Sequence, residues 1–324
     1  MMRNINWGVL GTADIARGCT IPGMQQAENC TLYAIAGRSL EKAEQFKKEF
    51  GFEKAYGSYD EMLADEKVEA VYIPLPNQLH LEWTLKALKA KKHVLCEKPL
   101  AINTKEAEEM FRCAHENGVI LMEAFAYLHS PIVAAVKEDV EKLGTLRYME
   151  SAFITSDYPV ENIRMRRETY GGGTYDLGCY TISQILWMFD EEPADVKAIA
   201  TFSDQNVDNC ATGILTFPSG AKAHFTSGMV LPTGQARRLD RFQIHGDNGC
   251  ITSETEFNQQ GNLSWKLTLN GHTETKTVFA PQNYRLEVEQ MNRCILCGET
   301  PYVSEAFSLR LSRTMDRVLE AMGY

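Results

Sequence analysis

The chain predicts an α/β protein in two parts. Residues 1–125 form a doubly wound parallel sheet, and residues 126–324 an α+β part built on a large, mostly antiparallel sheet. Three observations carry this reading. From Ile5 to Ala124, short apolar runs alternate with amphipathic stretches of helical length, an order that requires parallel pairing through helical crossovers. A glycine-containing turn follows the first apolar run. After Pro131 the pattern changes to strand-length runs separated by turn signals such as Pro218-Ser219-Gly220 and Asn270-Gly271, which favour hairpins.

Composition sets limits on function. The chain has 324 residues, with 33 Lys plus Arg against 43 Asp plus Glu and a net charge of −10. An acidic surface argues against broad binding to nucleic acid or anionic membrane. No apolar run is long enough to span a bilayer, and Met1 to Trp7 holds no apolar signal core. Nine cysteines lie scattered without paired spacing, so reduced thiols and a cytoplasmic location are expected. Cys294-Ile295-Leu296-Cys297 reads as packing near a helix. The seven histidines show no ligand spacing, and no metal is expected.

Each element of the first part has a local reason. Ile5–Leu10 is an apolar strand that runs into Gly11-Thr12-Ala13-Asp14-Ile15-Ala16. Gly11, Ala13 and Ala16 fill the three small-residue positions of a dinucleotide turn, where backbone amides approach a pyrophosphate at a helix start. The next strand, Thr31–Gly37, ends in Arg38-Ser39 rather than an acidic residue. An acidic residue there would suit the ribose hydroxyl of NAD, whereas Arg38 with Ser39 suits the 2′-phosphate of NADP. NADP is therefore expected over NAD. Ser39 equally fits the N-cap of a helix over Leu40–Phe50.

A short helix over Ser58–Leu63 and a strand over Val68–Ile73 follow. The loop Pro74-Leu75-Pro76-Asn77-Gln78-Leu79-His80 then opens a helix that ends near Ala90. The next strand ends in Cys96-Glu97-Lys98-Pro99. Lys98 thus falls at the carboxyl edge of the sheet, where ligands bind in this architecture. A lysine at such an edge suits proton transfer, although the same residues fit a Lys–Glu pair capping a strand. A helix over Thr104–Asn117, stopped by Gly118, leads to the strand Val119–Glu123 and to Ala124-Phe125.

In the second part, Pro131–Leu143 reads as a helix. Strands are expected over Leu146–Ile154, Val196–Phe202, Asn209–Thr216, Lys222–Met229, Arg241–His245, Ser264–Leu269 and Thr273–Phe279. The run Gly171-Gly172-Gly173 precedes a helical segment from Thr174. Asp176 and Tyr180 are four apart, so one helix face presents a carboxylate beside a phenol. Such a pair can orient a hydroxyl and take its proton, and equally fits a cap and a packed phenol. A last helix is expected over 304–322, with the possibility that it packs back on the first part.

Several of these stretches together resemble the Gfo/Idh/MocA family of oxidoreductases. They are Trp7–Thr12 with Ile15-Ala16, Arg38-Ser39 with Lys42-Ala43, Tyr72–Asn77 through His80, His93–Pro99, and Glu123-Ala124-Phe125. The resemblance implies a Rossmann domain followed by a substrate-binding and oligomerisation domain. It implies hydride transfer between NAD(P) and a secondary alcohol or ketone of a sugar, polyol or cyclic diol. It also implies catalytic roles for Lys98, Tyr180 and Asp176, and a cis Lys98–Pro99 bond. Cofactor contacts would come from Gly11, Thr12, Ala13, Ile15, Arg38, Ser39, Pro76, Asn77, His80, Glu97 and Lys98, and substrate contacts from Phe125, Tyr127, Arg164, Asp176 and Tyr180. Tyr180 stands where many members carry His, as in the subgroup of dimeric dihydrodiol dehydrogenase and NADP-linked xylose dehydrogenase. The expected partners are a carbohydrate or polyol and a second copy of the chain, bound through the large sheet. Alternative functions are a trans-dihydrodiol dehydrogenase acting on aromatic diols and a regulator that senses NAD(P) without turnover.

Overall fold

The first sheet has six parallel strands: β1 (Ile5–Leu10), β2 (Cys30–Ala36), β3 (Lys54–Tyr56), β4 (Ala70–Ile73), β5 (His93–Glu97) and β6 (Leu121–Ala124). Their spatial order is β3-β2-β1-β4-β5-β6. The structure, a computed structural model, describes residues 3–232 and 238–324. The strand order reverses between β1 and β4, and the carboxyl ends beside such a reversal form a binding crevice. All four residues of β4 are buried, as are five of the six in β1, as expected of a parallel sheet covered on both faces.

The crossovers use α1 (Ile21–Gln26), α2 (Leu40–Phe50), α3 (Tyr59–Leu63), α4 (His80–Lys89) and α5 (Thr104–Asn117). Local chemistry fixes several of their ends. The side chains of Ser39, Ser58 and Asn103 accept from the amides of Lys42, Glu61 and Glu106, which satisfies donors that the first helical turn leaves unpaired. The expected helix over Thr104–Asn117 matches α5 at both ends. Its stop, Gly118, sits at φ +66°, a left-handed conformation that glycine adopts without steric cost.

The second sheet contains β7 (Leu146–Ser156), β8 (Asp195–Phe202), β9 (Asp208–Thr216), β10 (Lys222–Leu231), β11 (Leu239–Gly246), β12 (Gly249–Ser253), β13 (Gly261–Leu269) and β14 (His272–Ala280). Their order is β14-β13-β12-β11-β7-β10-β9-β8. Among the described residues of this sheet, only the β7–β10 pair is parallel. Alternation sorts the residues of β7 between faces: Met149, Ser151 and Phe153 are buried, while Tyr148 and Glu150 are half-exposed. Helices α6 (Pro131–Val140) and α7 (Cys179–Phe189) belong to the same unit. The Ser151 hydroxyl donates to Gln184 on α7 at 2.7 Å, which ties α7 to the buried face. Two strands, β3 and β12, were not expected from the sequence; β3 spans only three residues.

The chain divides differently from the single expected cut after residue 125. One unit comprises residues 1–129 and 281–308, and the other 130–280 and 309–324. Helix α8 (Asn283–Cys297) therefore returns to the first unit. The indole N–H of Trp7 on β1 donates to Asn292 Oδ1 at 2.9 Å, and the Asn292 amide donates to the Glu28 carbonyl at 2.9 Å. Helix α9 (Glu305–Met322) is divided: residues 305–308 group with the first unit, where the Ser308 hydroxyl donates to Glu123, and the rest groups with the second unit from Leu309 onward. The reason for the latter is a row of cations: Arg310 and Arg313 pair with Asp190 and Glu192, and Arg317 donates to the Pro193 and Ala194 carbonyls. Cys294 is buried and Cys297 exposed.

Replacing Asn292 with Ala leaves the fully buried Trp7 indole N–H without its acceptor. Such a buried orphan costs about 1–3 kcal/mol. Urea unfolding of Asn292→Ala should show that loss, and an unchanged midpoint would detach α8 from the stability of the first sheet.

Candidate active site

The first unit offers a cradle for a dinucleotide. Past β1 the backbone turns at Gly11, which has φ +127°. A Cβ there would lie 3.1 Å from the Leu75 side chain, in a conformation that other residues rarely adopt. Helical winding starts at Asp14 and passes through a π-turn over Ala16–Thr20 before α1. Thr12, Ala13 and Ile15 are partly exposed around this turn. Single π-turns inside helices recur at functional sites.

At the end of β2, Arg38 is exposed and makes no hydrogen bond or ion pair among the described residues. Its charge reaches the Tyr59 phenol, which burial otherwise pushes up. The neighbouring Ser39 caps α2, so its oxygen is already used as an acceptor while its O–H remains a potential donor. A glycine turn at a helix start, followed by an unpaired guanidinium at the end of β2, fits a phosphorylated dinucleotide.

Lys98 follows the last residue of β5 and is half-buried, and its bond to Pro99 is cis. Glu97 faces inward: it accepts from the Tyr72 hydroxyl at 2.5 Å, and Tyr72 accepts from Thr20 at 2.9 Å. Burial pushes the Tyr72 phenol well up, and the adjacent Glu97 charge adds to this. His80 corrects an expectation. Its ring is fully buried, with Nδ1 2.9 Å from the Pro99 carbonyl and Nε2 2.8 Å from the Leu75 carbonyl. Both ring nitrogens are thus occupied by backbone, so His80 braces the turn after Lys98 and has no ring nitrogen left for a cofactor. Burial lowers its pKa, while the carbonyls pull it up. Pro76 and Asn77 are partly exposed on the loop after β4. Phe125 and Tyr127 are buried and meet edge to face, with centroids 5.9 Å apart.

The second unit builds its cluster on the glycine run. Gly172 has φ +118°, and a Cβ there would fall 2.3 Å from Asp208 Oδ1. Buried Asp208 accepts from the Thr174 amide and hydroxyl, both at 2.7 Å, and from the Tyr324 hydroxyl. The backbone amide of Asp208 donates to the same Tyr324 oxygen at 2.8 Å. Burial raises the Asp208 carboxyl against these donors. The chain then winds as a π-turn over Thr174–Gly178 into α7.

Within residues 171–186, Asp176 and Tyr180 alone are not buried. Arg164 Nε donates to Asp176 Oδ2 at 2.7 Å, with side-chain exposures of 35% and 16%. The Tyr180 ring sits 5.5 Å from Phe153 and 5.2 Å from Phe257, centroid to centroid. Arg238 lies over Phe153 at 4.5 Å and pairs with buried Asp240, which also accepts the Phe257 amide at 2.7 Å. The charges of Arg164 and Arg238 both act at Tyr180, and nearby cations favour an ionised phenolate.

Asp208, Phe153, Phe257 and Arg238 were absent from the expected site. Arg238 precedes β11 and the expected strand began only at Arg241, so its pairing with Asp240 did not stand out in the sequence. For Asp208 there was no signal, because its partners are 34 and 116 residues away.

Residues 5–125 match the oxidoreductase family with an NAD-binding Rossmann fold, and residues 133–252 match the GFO/IDH/MocA C-terminal domain. The chain is 35% identical to D-xylose 1-dehydrogenase (NADP(+)) 2 of Haloferax volcanii, over 97% of this chain and 96% of that protein. It is 29% identical to trans-1,2-dihydrobenzene-1,2-diol dehydrogenase of Xenopus laevis, over 98% of each. A 3-ketoreductase from Actinomadura kijaniata, solved with NADP and TDP-benzene, superposes with a TM-score of 0.92 at 29% identity, covering 99% of this chain and 98% of that one. The same reductase has been solved with one tyrosine changed to Phe and with one lysine changed to Ala.

Gly172→Ala should disturb the second-unit cluster, because its Cβ meets Asp208 in a strained backbone. A cost of about 1–3 kcal/mol is expected from such strain. Gly220 is a control, with φ +86° and open space around its Cβ. Thermal melts should separate the two alanine variants, and equal melting would remove the packing argument for Gly172.

Proposed function

Because the chain belongs to the GFO/IDH/MocA oxidoreductase family, we propose that it transfers a hydride between NADP and a carbon bearing a hydroxyl or keto group on a sugar, polyol or related cyclic diol. The observation that carries this reading is the placement of Lys98 at the carboxyl edge of the sheet, one residue past β5. The relatives support the substrate class, since they include an NADP-linked xylose dehydrogenase and a ketoreductase solved with NADP. That a lysine and a tyrosine were the residues substituted in that reductase agrees with proton-handling roles for Lys98 and Tyr180.

The cradle at Gly11 holds the pyrophosphate of the cofactor, and the Arg38 fork binds the 2′-phosphate, with the Ser39 O–H as a second donor. When bound, NADP supplies the nicotinamide carbon that accepts or returns the hydride. The proton is the task of this chain. Lys98 holds or releases it at Nζ, and Tyr180 at its phenol oxygen, where Arg164 and Arg238 ease ionisation. Asp176, fixed by Arg164, accepts from a substrate hydroxyl and orients it.

Copies of the chain associate through the outward face of the second sheet, where Ile199 is 72% and Ile214 45% exposed. Paired registers place Lys197 opposite Ile214, and Ile199 opposite Thr212, so the two isoleucines share one face. Exposed apolar groups on such a face favour association. Sedimentation of wild type against Ile199→Asp should show a smaller species for the variant, and a monomer in both would refute this surface.

Wild type should reduce NADP, in preference to NAD, on a panel of aldoses, polyols and cyclic diols. Arg38→Ala should erase that preference, and Lys98→Met and Tyr180→Phe should each lower kcat roughly 100-fold. Full turnover in both proton-group variants would overturn the mechanism, and an unchanged preference in Arg38→Ala would overturn the cofactor assignment.

A further inference from the structure

One buried carboxyl beside Lys98 takes no part in the proton transfer assigned to Lys98 and Tyr180. Glu123 lies on β6, with Cys96 of β5 as its register partner, and is 2% exposed. Its Oε1 accepts from the Leu100 amide at 2.9 Å, two residues past Lys98. Its Oε2 accepts from the Ser308 hydroxyl at 2.6 Å. The positive charge of Lys98 acts on this carboxyl, and the negative charge of Glu97 opposes it.

We infer that Glu123 is a positioning residue for Lys98: from β6 it holds the turn that carries the lysine by accepting the Leu100 amide, and it stands beside the lysine as a neighbouring charge. The turn is gripped at two successive residues. His80 takes the Pro99 carbonyl and Glu123 takes the Leu100 amide. A buried carboxyl with two donors of fixed geometry is costly to place, and a surface Lys–Glu cap would need no such anchor. This inference rests on the reading of Lys98 as a proton-handling group.

The groups facing Glu123 set its response to pH. Burial raises the carboxyl to about 7; the Ser308 and Leu100 bonds and then Lys98 pull it down, and Glu97 pushes it up. The buried Cys96 thiol also lies within reach of its charge. Above pH 7 the ionised carboxylate favours the lysine ammonium. Removing that charge therefore makes Lys98 lose its proton at lower pH. Glu123→Gln removes the charge while keeping an acceptor for the Leu100 amide. Glu123→Ala removes both.

The test measures Lys98 itself and needs no substrate. Full-length protein is labelled with a trace of acetic anhydride between pH 6 and 11, and the Lys98 peptide is quantified by mass spectrometry. The half-labelling pH in folded Glu123→Gln should fall by about half a unit or more, the scale of one partly buried neighbouring charge. Glu123→Ala should in addition weaken NADP binding relative to Glu123→Gln. A purely structural Glu123 would lower the melting temperature and leave the half-labelling pH of the Gln variant where wild type has it, and that result overturns the inference. Full turnover in Lys98→Met would instead remove the premise, and the labelling shift is read independently of it.

Discussion

The grip on the Lys98–Leu100 turn is the constraint on which the first unit depends. A lysine at a sheet edge is useful only if its position is fixed and its charge is not buried without relief. The parallel sheet supplies the position, because β5 ends where the strand order has already reversed. His80 and Glu123 supply the fixation, one from the start of α4 and one from β6. Both are buried polar groups, and each satisfies the backbone it holds. Glu97 is drawn inward to Tyr72 and Thr20, so the carboxylate next to the lysine in sequence belongs to an internal network.

The second unit solves a similar problem with different parts. A glycine run allows close approach of backbone to Asp208, and Asp208 fixes Thr174 at the start of the π-turn. From that anchored start the helix presents Asp176 and Tyr180 as the partly open side chains of an otherwise buried stretch. Arg164 neutralises Asp176 and orients it. Phe153 and Phe257 flank the Tyr180 ring, and Arg238, held by Asp240, lies against that aromatic group. Charge and ring packing both favour a fixed phenol whose proton can be moved.

Much of this was legible because it is local. The cap at Ser39, the glycine stop at Gly118 and the small-residue turn at Gly11 are each read from a few adjacent residues. Lys98 was legible because a strand that ends in opposite charges and proline marks a sheet edge. What escaped depends on distant pairing. Asn292 joins Trp7 across 285 positions, and Ser308 joins Glu123 across 185. No spacing rule reports such contacts, so the return of α8 to the first unit was hidden. The inward turn of Glu97 and the brace made by His80 were hidden for the same reason, since their residue types equally suit contact with a ligand.

The most direct test follows the hydride. Wild-type protein is incubated with NADP and a panel of aldoses, polyols and cyclic diols deuterated at their carbinol carbons, and the reduced cofactor is isolated. Deuterium is predicted at the nicotinamide C4 position with at least one member of the panel. NADP that binds tightly but is never reduced, or reduced cofactor that carries no deuterium, would contradict hydride transfer by this chain.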